Sequence, residues 1–443
     1  MTGSSRTVVS QLPRQTRGAV LQHQQRSLQE LLRYVWRHSS FYRDYYGGHG
    51  MMENDLAEVT IRDLPFLSKR TLMDNFDTAV TDLRLRRREL DQWIQDNPDP
   101  LRNFREDFIV INSSGSSGYV GTFVYSERAW RAVNSIMAGR LPIPENYPSG
   151  KTRAAFYLAS HGHFGAVSGA VRMPKAVYDT LILSLLDSRR RVAEQLNAFQ
   201  PHRLHGYSSS VSMLADLALQ GELRIRPKSV FVGGDKLTAG MGERIRTAWR
   251  APIYDLYSAV ECKFIAFKEA GEKAMTVMDD LYIVEVLDEH NHPVPPGGEG
   301  RVVITNLYNS TLPILRYELG DYVVLGEVPN DSPYTAIRDI RGRVNDALPV
   351  ILHDGKGDTI HPILLAVFHV HGLERVQFIS ERPEHIRVDY MARREIAAAV
   401  RQEFQRILDL KGASRTTFDV RYVTQIASDA RTGKLPLVRI ERR

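Results

Sequence analysis

Phe108-Ile109-Val110-Ile111-Asn112-Ser113-Ser114-Gly115-Ser116-Ser117-Gly118 is the stretch on which the reading of the fold turns. Its first four residues are apolar and mostly β-branched, as in a buried strand, and they empty into a run of serines and glycines. The strand-like Thr122-Phe123-Val124-Tyr125 follows closely, so the run lies between two core strands, where a flexible linker has no place. Glycines let backbone N–H groups approach an anion, and serine hydroxyls add donors without bulk, which makes the run a candidate phosphate loop. It is not a Walker loop, because no Gly-Lys-Ser/Thr stands at the required spacing.

Outward from this loop, β-branched runs alternate with helical patterns. A helix is predicted over 128–137, then strands at 154–158, 229–232 and 253–257, with a helix at 239–249. Such alternation predicts an α/β fold with mixed and parallel sheets. Between residues 275 and 325 the strands crowd together (282–286, 300–304, 322–325) around the turn Val294-Pro295-Pro296-Gly297-Gly298, which predicts a β-barrel-like part. On the other side, the stripe Leu21, Leu28, Leu31, Leu32, Val35, Trp36 predicts one helical segment over 20–46, and Ser68 is placed to cap a following helix. Beyond Gly342-Arg343, a helix at 394–410 between strands at 375–379 and 418–422 predicts a compact α+β unit. The expected division is a large N-terminal domain, 1–341, and a small C-terminal domain, 342–443; a chain of 443 residues exceeds what one core serves.

Hydrophobic residues are 43% and charged residues 25%, the balance of an ordinary globular protein. The net charge of +6 is a mild excess that suits an anionic cosubstrate. No basic block is interleaved with aromatics, so no nucleic-acid partner is expected. The single cysteine, Cys262, excludes an intramolecular disulfide and a cysteine-cluster metal site, and fits a cytoplasmic setting. No stretch of about 18 apolar residues is present, so no membrane partner is expected either; a homodimer is left open.

The loop from Ser113 to Gly118, with Tyr125-Ser126 after it, resembles the phosphate loop of the adenylate-forming superfamily, in the branch of phenylacetate–CoA ligases and deazaflavin-cofactor adenylyltransferases. Further segments resemble that branch in the same order. They are the helix and aromatic turn ending Phe41-Tyr42-Arg43, the turn Leu64-Pro65-Phe66-Leu67-Ser68-Lys69, and the segment Tyr254-Asp255-Leu256-Tyr257-Ser258-Ala259-Val260-Glu261. Pro313-Ile314-Leu315-Arg316-Tyr317-Glu318-Leu319-Gly320-Asp321 and the hinge-like Gly342-Arg343-Val344-Asn345-Asp346 complete the series. The resemblance covers nearly the whole chain and implies that a carboxylate attacks the α-phosphate of ATP, releasing pyrophosphate. Such chemistry depends on positioning and charge neutralisation.

The resemblance also implies roles. Ser113, Ser114, Gly115, Ser116, Ser117 and Gly118 would hold phosphate, and Asp321 would accept from the ribose hydroxyls. Tyr257 would stack on adenine, with Ser258, Asp255 and Gly233-Gly234-Asp235 around it. Glu261 would hold Mg²⁺, a hard oxygen ligand for a hard cation. Arg343 would reach the ribose or phosphates, Asp346 would be the pivot of a C-terminal lid, and Lys434 would neutralise the reacting carboxylate and phosphate. His161, His163, Phe164 and Tyr207 would line the acid pocket.

Four features depart from the family pattern: Tyr119 stands in place of a lysine, Val260 of a Ser/Thr hydroxyl, Ser258 of a glycine, and Ala347-Leu348-Pro349-Val350 of a lysine- or arginine-rich continuation after the hinge. Lys263 and Arg316 are basic side chains available to make up lost charge. The leading expectation is activation of a small, aromatic carboxylic acid as its adenylate, followed by transfer to coenzyme A. The alternatives are an amine or hydroxyl acceptor, AMP transfer, and an inactive nucleotide-binding homologue.

Overall fold

The computed structural model describes residues 16–113, 121–141, 150–160, 162–328, 332–340, 348–360, 364–365, 368, 370–382, 384–426 and 437–441. The expected N-terminal helix is broken in two, Arg17–His38 and Ser40–Gly47. Ser39 adopts an extended conformation at the break, and its hydroxyl caps the second helix by accepting from the Tyr42 N–H. Leu28, Leu31, Leu32 and Val35 turn inward as the stripe requires.

Strands β1 (Phe108–Asn112) and β2 (Thr122–Ser126) form an antiparallel hairpin, with Asn112 opposite Thr122, so the Ser/Gly run is the connection between paired strands. The main sheet holds eleven strands. They are β3 (Thr152–Leu158), β4 (Tyr178–Ser184), β5 (Arg203–Tyr207), β6 (Ser229–Gly233), β7 (Ile253–Ala259), β8 (Lys263–Glu269), β9 (Met275–Val277), β10 (Tyr282–Leu287), β11 (Glu299–Asn306), β12 (Tyr317–Leu325) and β13 (Ala336–Ile340). Their order is β10-β11-β12-β13-β9-β8-β7-β6-β5-β3-β4. Pairing is parallel from β4 through β7 and antiparallel from β7 onward. The expected meander is present, but its strands extend the parallel set rather than closing a barrel, because β8 and β9 join the two halves edge to edge.

C-terminal to these lie a hairpin, β14 (Leu348–Ile351) and β15 (Gly357–Ile360), and a four-stranded sheet of β16 (Leu373–Arg382), β17 (His385–Ala392), β18 (Thr417–Tyr422) and β19 (Val438–Ile440). The helix Ala397–Lys411 buries Val400, Phe404, Ile407 and Leu408 beneath that sheet. One apolar cluster runs from β3, β5 and β6 into this C-terminal sheet, while the second joins the N-terminal helices to the hairpin and the meander.

Across the parallel strands, Phe156 pairs with His205, His205 with Phe231, and Phe231 with Tyr254. Their rings stack at 4.3, 4.5 and 5.1 Å between centroids, a ladder that pins the register on one face. Burial, with Arg203 nearby, pushes the His205 imidazole down to about 3. In the unfolded chain it titrates near its ordinary 6.5, so the unfolded state binds the extra proton between those values. Stability should therefore fall as pH drops from about 6.5 towards 3. A His205→Phe variant, which keeps the stack, should show a smaller fall when urea midpoints are compared at neutral and acid pH.

Candidate active site

The carboxyl ends of parallel strands are where α/β folds place ligands, and here β5, β6 and β7 end side by side. Tyr207 lies opposite Gly233, and Gly233 opposite Leu256, so the Gly-Gly-Asp segment is flanked by Tyr207 on one side and Asp255 to Ser258 on the other. Gly234 has φ +79°, and a Cβ there would lie 2.7 Å from the Tyr207 ring, so only glycine fits. A pocket of about 70 Å³ opens at this edge, lined by Gly234, Asp235, Asp255, Tyr257 and Ser258. Three cations also line it that sequence reasoning did not single out, Lys236, Lys268 and Arg338; Lys268 stands directly across from Asp255 in the β7–β8 ladder. Burial pushes the Asp255 carboxyl up to about 6, against the opposing pull of Lys268.

The individual side chains sort themselves by contact. The Tyr257 hydroxyl donates to Asp321 Oδ2 at 2.8 Å, and Asp321 is fully buried, so β7 and β12 are joined through the two expected nucleotide residues. Asp235 is committed structurally. Its two carboxylate oxygens accept from the Ser208 and Ser209 N–H groups, at 2.5 and 3.1 Å, and so cap the helix Ser208–Leu219.

Glu261 sits in the tight turn from β7 to β8, buried, with Tyr317 donating to its Oε1 at 3.2 Å. Three more tyrosines fix the backbone of the same turn: Tyr125 donates to the Val260 carbonyl, and Tyr282 and Tyr308 to that of Cys262. Among the described residues there is no cluster of three His, Cys, Asp or Glu side chains suited to a metal. Magnesium is often held by one carboxylate together with substrate phosphate oxygens, and Glu261 would be the carboxylate available for that here.

At the base of the hairpin, the Ser113 hydroxyl accepts from the Gly121 N–H and from Lys69 Nζ, each at 2.8 Å. A Cβ at Gly121 would lie 2.7 Å from the Lys69 side chain, so glycine there admits the lysine. Lys69 is thus a cation at the mouth of the Ser/Gly run. It reaches the loop from a turn quoted in the sequence only as a family likeness, and no local signal assigned it there.

The two basic residues expected to compensate for Tyr119 do something else. Lys263 lies over the Trp130 ring at 3.2 Å and donates to Asn134, and burial lowers its amine well below the ordinary range. Arg316 pairs with Glu285 and donates to the Arg62 and Leu64 carbonyls. Val260, in place of a hydroxyl, packs apolar surface beside Gly165.

Of the acid-pocket residues, Phe164 is buried at the start of the helix Gly165–Ala170, and Tyr207 is buried against Gly234. His163 is committed to packing. Its Nε2 meets the Asn97 carbonyl at 2.6 Å beside Trp93, and burial lowers its pKa. Ser114, Gly115, Ser116, Ser117, Gly118, Tyr119, His161, Arg343, Asp346 and Lys434 lie outside the described residues.

An open mixed sheet followed by small C-terminal sheets is the fold this chain shares with solved acyl-CoA ligases. No family model matches the sequence. Among solved structures it is similar to 2-hydroxyisobutyryl-CoA ligase, at 20–21% identity. The thioesterification state of that enzyme, bound to 2-HIB-AMP and CoA, matches with TM-score 0.62 over 96% of this chain and 90% of the other. Its postadenylation state matches at 0.58 with the same coverage, and an open conformation at 0.56 over 95% and 91%. Protein CapK of Staphylococcus aureus is 22% identical over 337 residues, 73% of this chain and 68% of that protein.

The ionised Asp255 carboxylate is the acceptor form, so nucleotide affinity by calorimetry should weaken as pH falls below about 6, and Asp255→Asn should abolish that dependence. The same variant should raise Tm at pH 7.5, because a buried carboxyl with a raised pKa costs stability once ionised. Lys69→Ala should raise the KM for ATP about tenfold, the loss expected of one charge-assisted contact, with little change in Tm.

Proposed function

We propose that this chain is an ATP-dependent, AMP-forming carboxylate ligase that activates a small, aromatic carboxylic acid as its acyl-adenylate and passes the acyl group to coenzyme A. The observation that carries this reading is the convergence on one sheet edge. Tyr257 of β7 donates to Asp321 of β12, Glu261 in the turn after β7 accepts from Tyr317 of the same β12, Asp255 stands two residues before Tyr257, and Lys69 donates to Ser113 at the start of the Ser/Gly run. In this reading Asp255 and the Gly233-Gly234 backbone border the base, and Asp321 takes the ribose hydroxyls. The Ser/Gly run with Lys69 takes the phosphates. Magnesium, when bound at Glu261, would neutralise charge on the phosphates. The substrate carboxylate oxygen attacks the α-phosphorus, and the bond to pyrophosphate breaks.

Residues 342–443 act as a lid pivoting at Asp346, with Arg343 and Lys434 brought to the phosphates in turn. The better match to the thioesterification state, 0.62 against 0.58 and 0.56, supports reading the present arrangement of the chain as that of the second half-reaction. There, the coenzyme A sulfur attacks the acyl carbon and AMP leaves.

The test is acid-dependent exchange of labelled pyrophosphate into ATP over a panel of aryl and small aliphatic acids, followed by thioester detection with coenzyme A. Exchange with an aryl acid and thioester formation are expected. Exchange without thioester would move the acceptor to an amine or hydroxyl; no exchange, with no rise in Tm on adding ATP and Mg²⁺, would leave an inactive homologue.

A further inference from the structure

Asp358, on β15, is 5% exposed and holds two cations from different parts of the chain. Its Oδ1 is 2.6 Å from Arg189, the first residue of the helix Arg189–Phe199 that packs on the parallel strands. Its Oδ2 is 3.3 Å from Lys411 at the end of the helix Ala397–Lys411, whose ammonium is 9% exposed. The Thr359 N–H adds a further bond to Oδ1 at 2.8 Å. Around this triad, Leu348, Val350 and Ile360 share an apolar cluster with Ala154, Leu204 and Val230. Among the described residues, the C-terminal elements are therefore docked on the parallel strands through an apolar patch and the Asp358–Arg189 ion pair. On the near side of the expected pivot, Lys236 donates to Asp339 Oδ1 at 2.8 Å and to the Ile340 carbonyl at 3.1 Å, which fixes the end of β13 to the Gly-Gly-Asp segment.

We propose that Asp358 is a positioning residue that, through Arg189, holds the C-terminal unit in the arrangement of the second half-reaction. This rests on the ligase reading above. A charge buried without a partner is far costlier than a paired one. Lys411 belongs to the same unit as Asp358 and travels with it, so Asp358 keeps a counter-ion when the contact with Arg189 opens. The pair can then break and re-form once per turnover, and its strength sets how the enzyme divides its time between the two arrangements. Neither Arg189 nor Asp358 touches the nucleotide edge.

The test uses the full chain with Arg189→Ala, Arg189→Lys and Asp358→Asn. Acid-dependent pyrophosphate exchange should stay within about twofold of wild type in all three. Thioester formation from preformed adenylate and coenzyme A should fall about tenfold in Arg189→Ala and Asp358→Asn and largely recover in Arg189→Lys, since a tenfold effect is the scale of one such pair. A second readout is independent of activity. The native Cys262 is buried, so cysteines introduced at Glu194 and Gln402 can be dye-labelled selectively, and energy transfer between them should show a longer mean separation in Arg189→Ala. Equal slowing of both half-reactions with an unchanged separation would overturn the proposal, as would an unaffected second step. If wild type shows no exchange with any acid, the ligase reading fails. An unchanged separation in Arg189→Ala would then overturn the docking role as well.

Discussion

The Arg316 guanidinium holds together the parts of the molecule on which the site depends. Its backbone is left-handed, at φ +45°, a conformation an L-residue adopts only under outside constraint. The side chain lies 4.2 Å over the Phe66 ring, pairs with Glu285 of β10, and donates to the carbonyls of Arg62 and Leu64. The backbone adds to this, with the Leu67 N–H donating to Arg316 and the Glu318 N–H to Leu67. One planar cation thus ties the turn that delivers Lys69 to the strand that delivers Asp321. Lysine would not substitute, because the fork of donors and the flat face on Phe66 are both in use. The charge that looked available for phosphate in the sequence is spent on placing the residues that would meet it.

Much of the fold was legible because its signals are local. The apolar and aromatic runs of β1, β3, β6 and β7 and the pattern behind the helix Ala239–Trp249 each predict their elements closely. The break at Ser39 was not legible, since the apolar stripe continues across it and only the cap chemistry interrupts the helix. Nor was the fate of the meander, because alternation fixes which face of a strand is buried and not which edge its neighbour takes.

The site was legible where its residues are contiguous and opaque where they are not. Tyr257, Glu261 and Asp321 carry their spacing within short motifs, and the fold brings them together. Lys69 and Ser113 are 44 positions apart and meet only because the turn after Arg62 is pinned from β12. Asp235 illustrates the opposite case. Its place after two glycines suggested a ligand contact, but its carboxylate is consumed by N–H groups of a helix that starts earlier in the chain.

That capping has a consequence for polarity. A helix N-terminus carries partial positive charge from its free N–H groups and is a ready anion site. Here the helix Ser208–Leu219 points its N-terminus at the strand edge, and Asp235 cancels its field at source. Among the described residues the edge is left with a cation at the Lys69 end beside the hairpin, and a charge-balanced end around Asp255, where Asp235, Asp255 and Asp339 meet Lys236, Lys268 and Arg338. An elongated ligand with an anionic tail and a neutral, amino-bearing head therefore meets a site with a built-in direction, which selects one of its two end-to-end orientations before any contact to the acid is made.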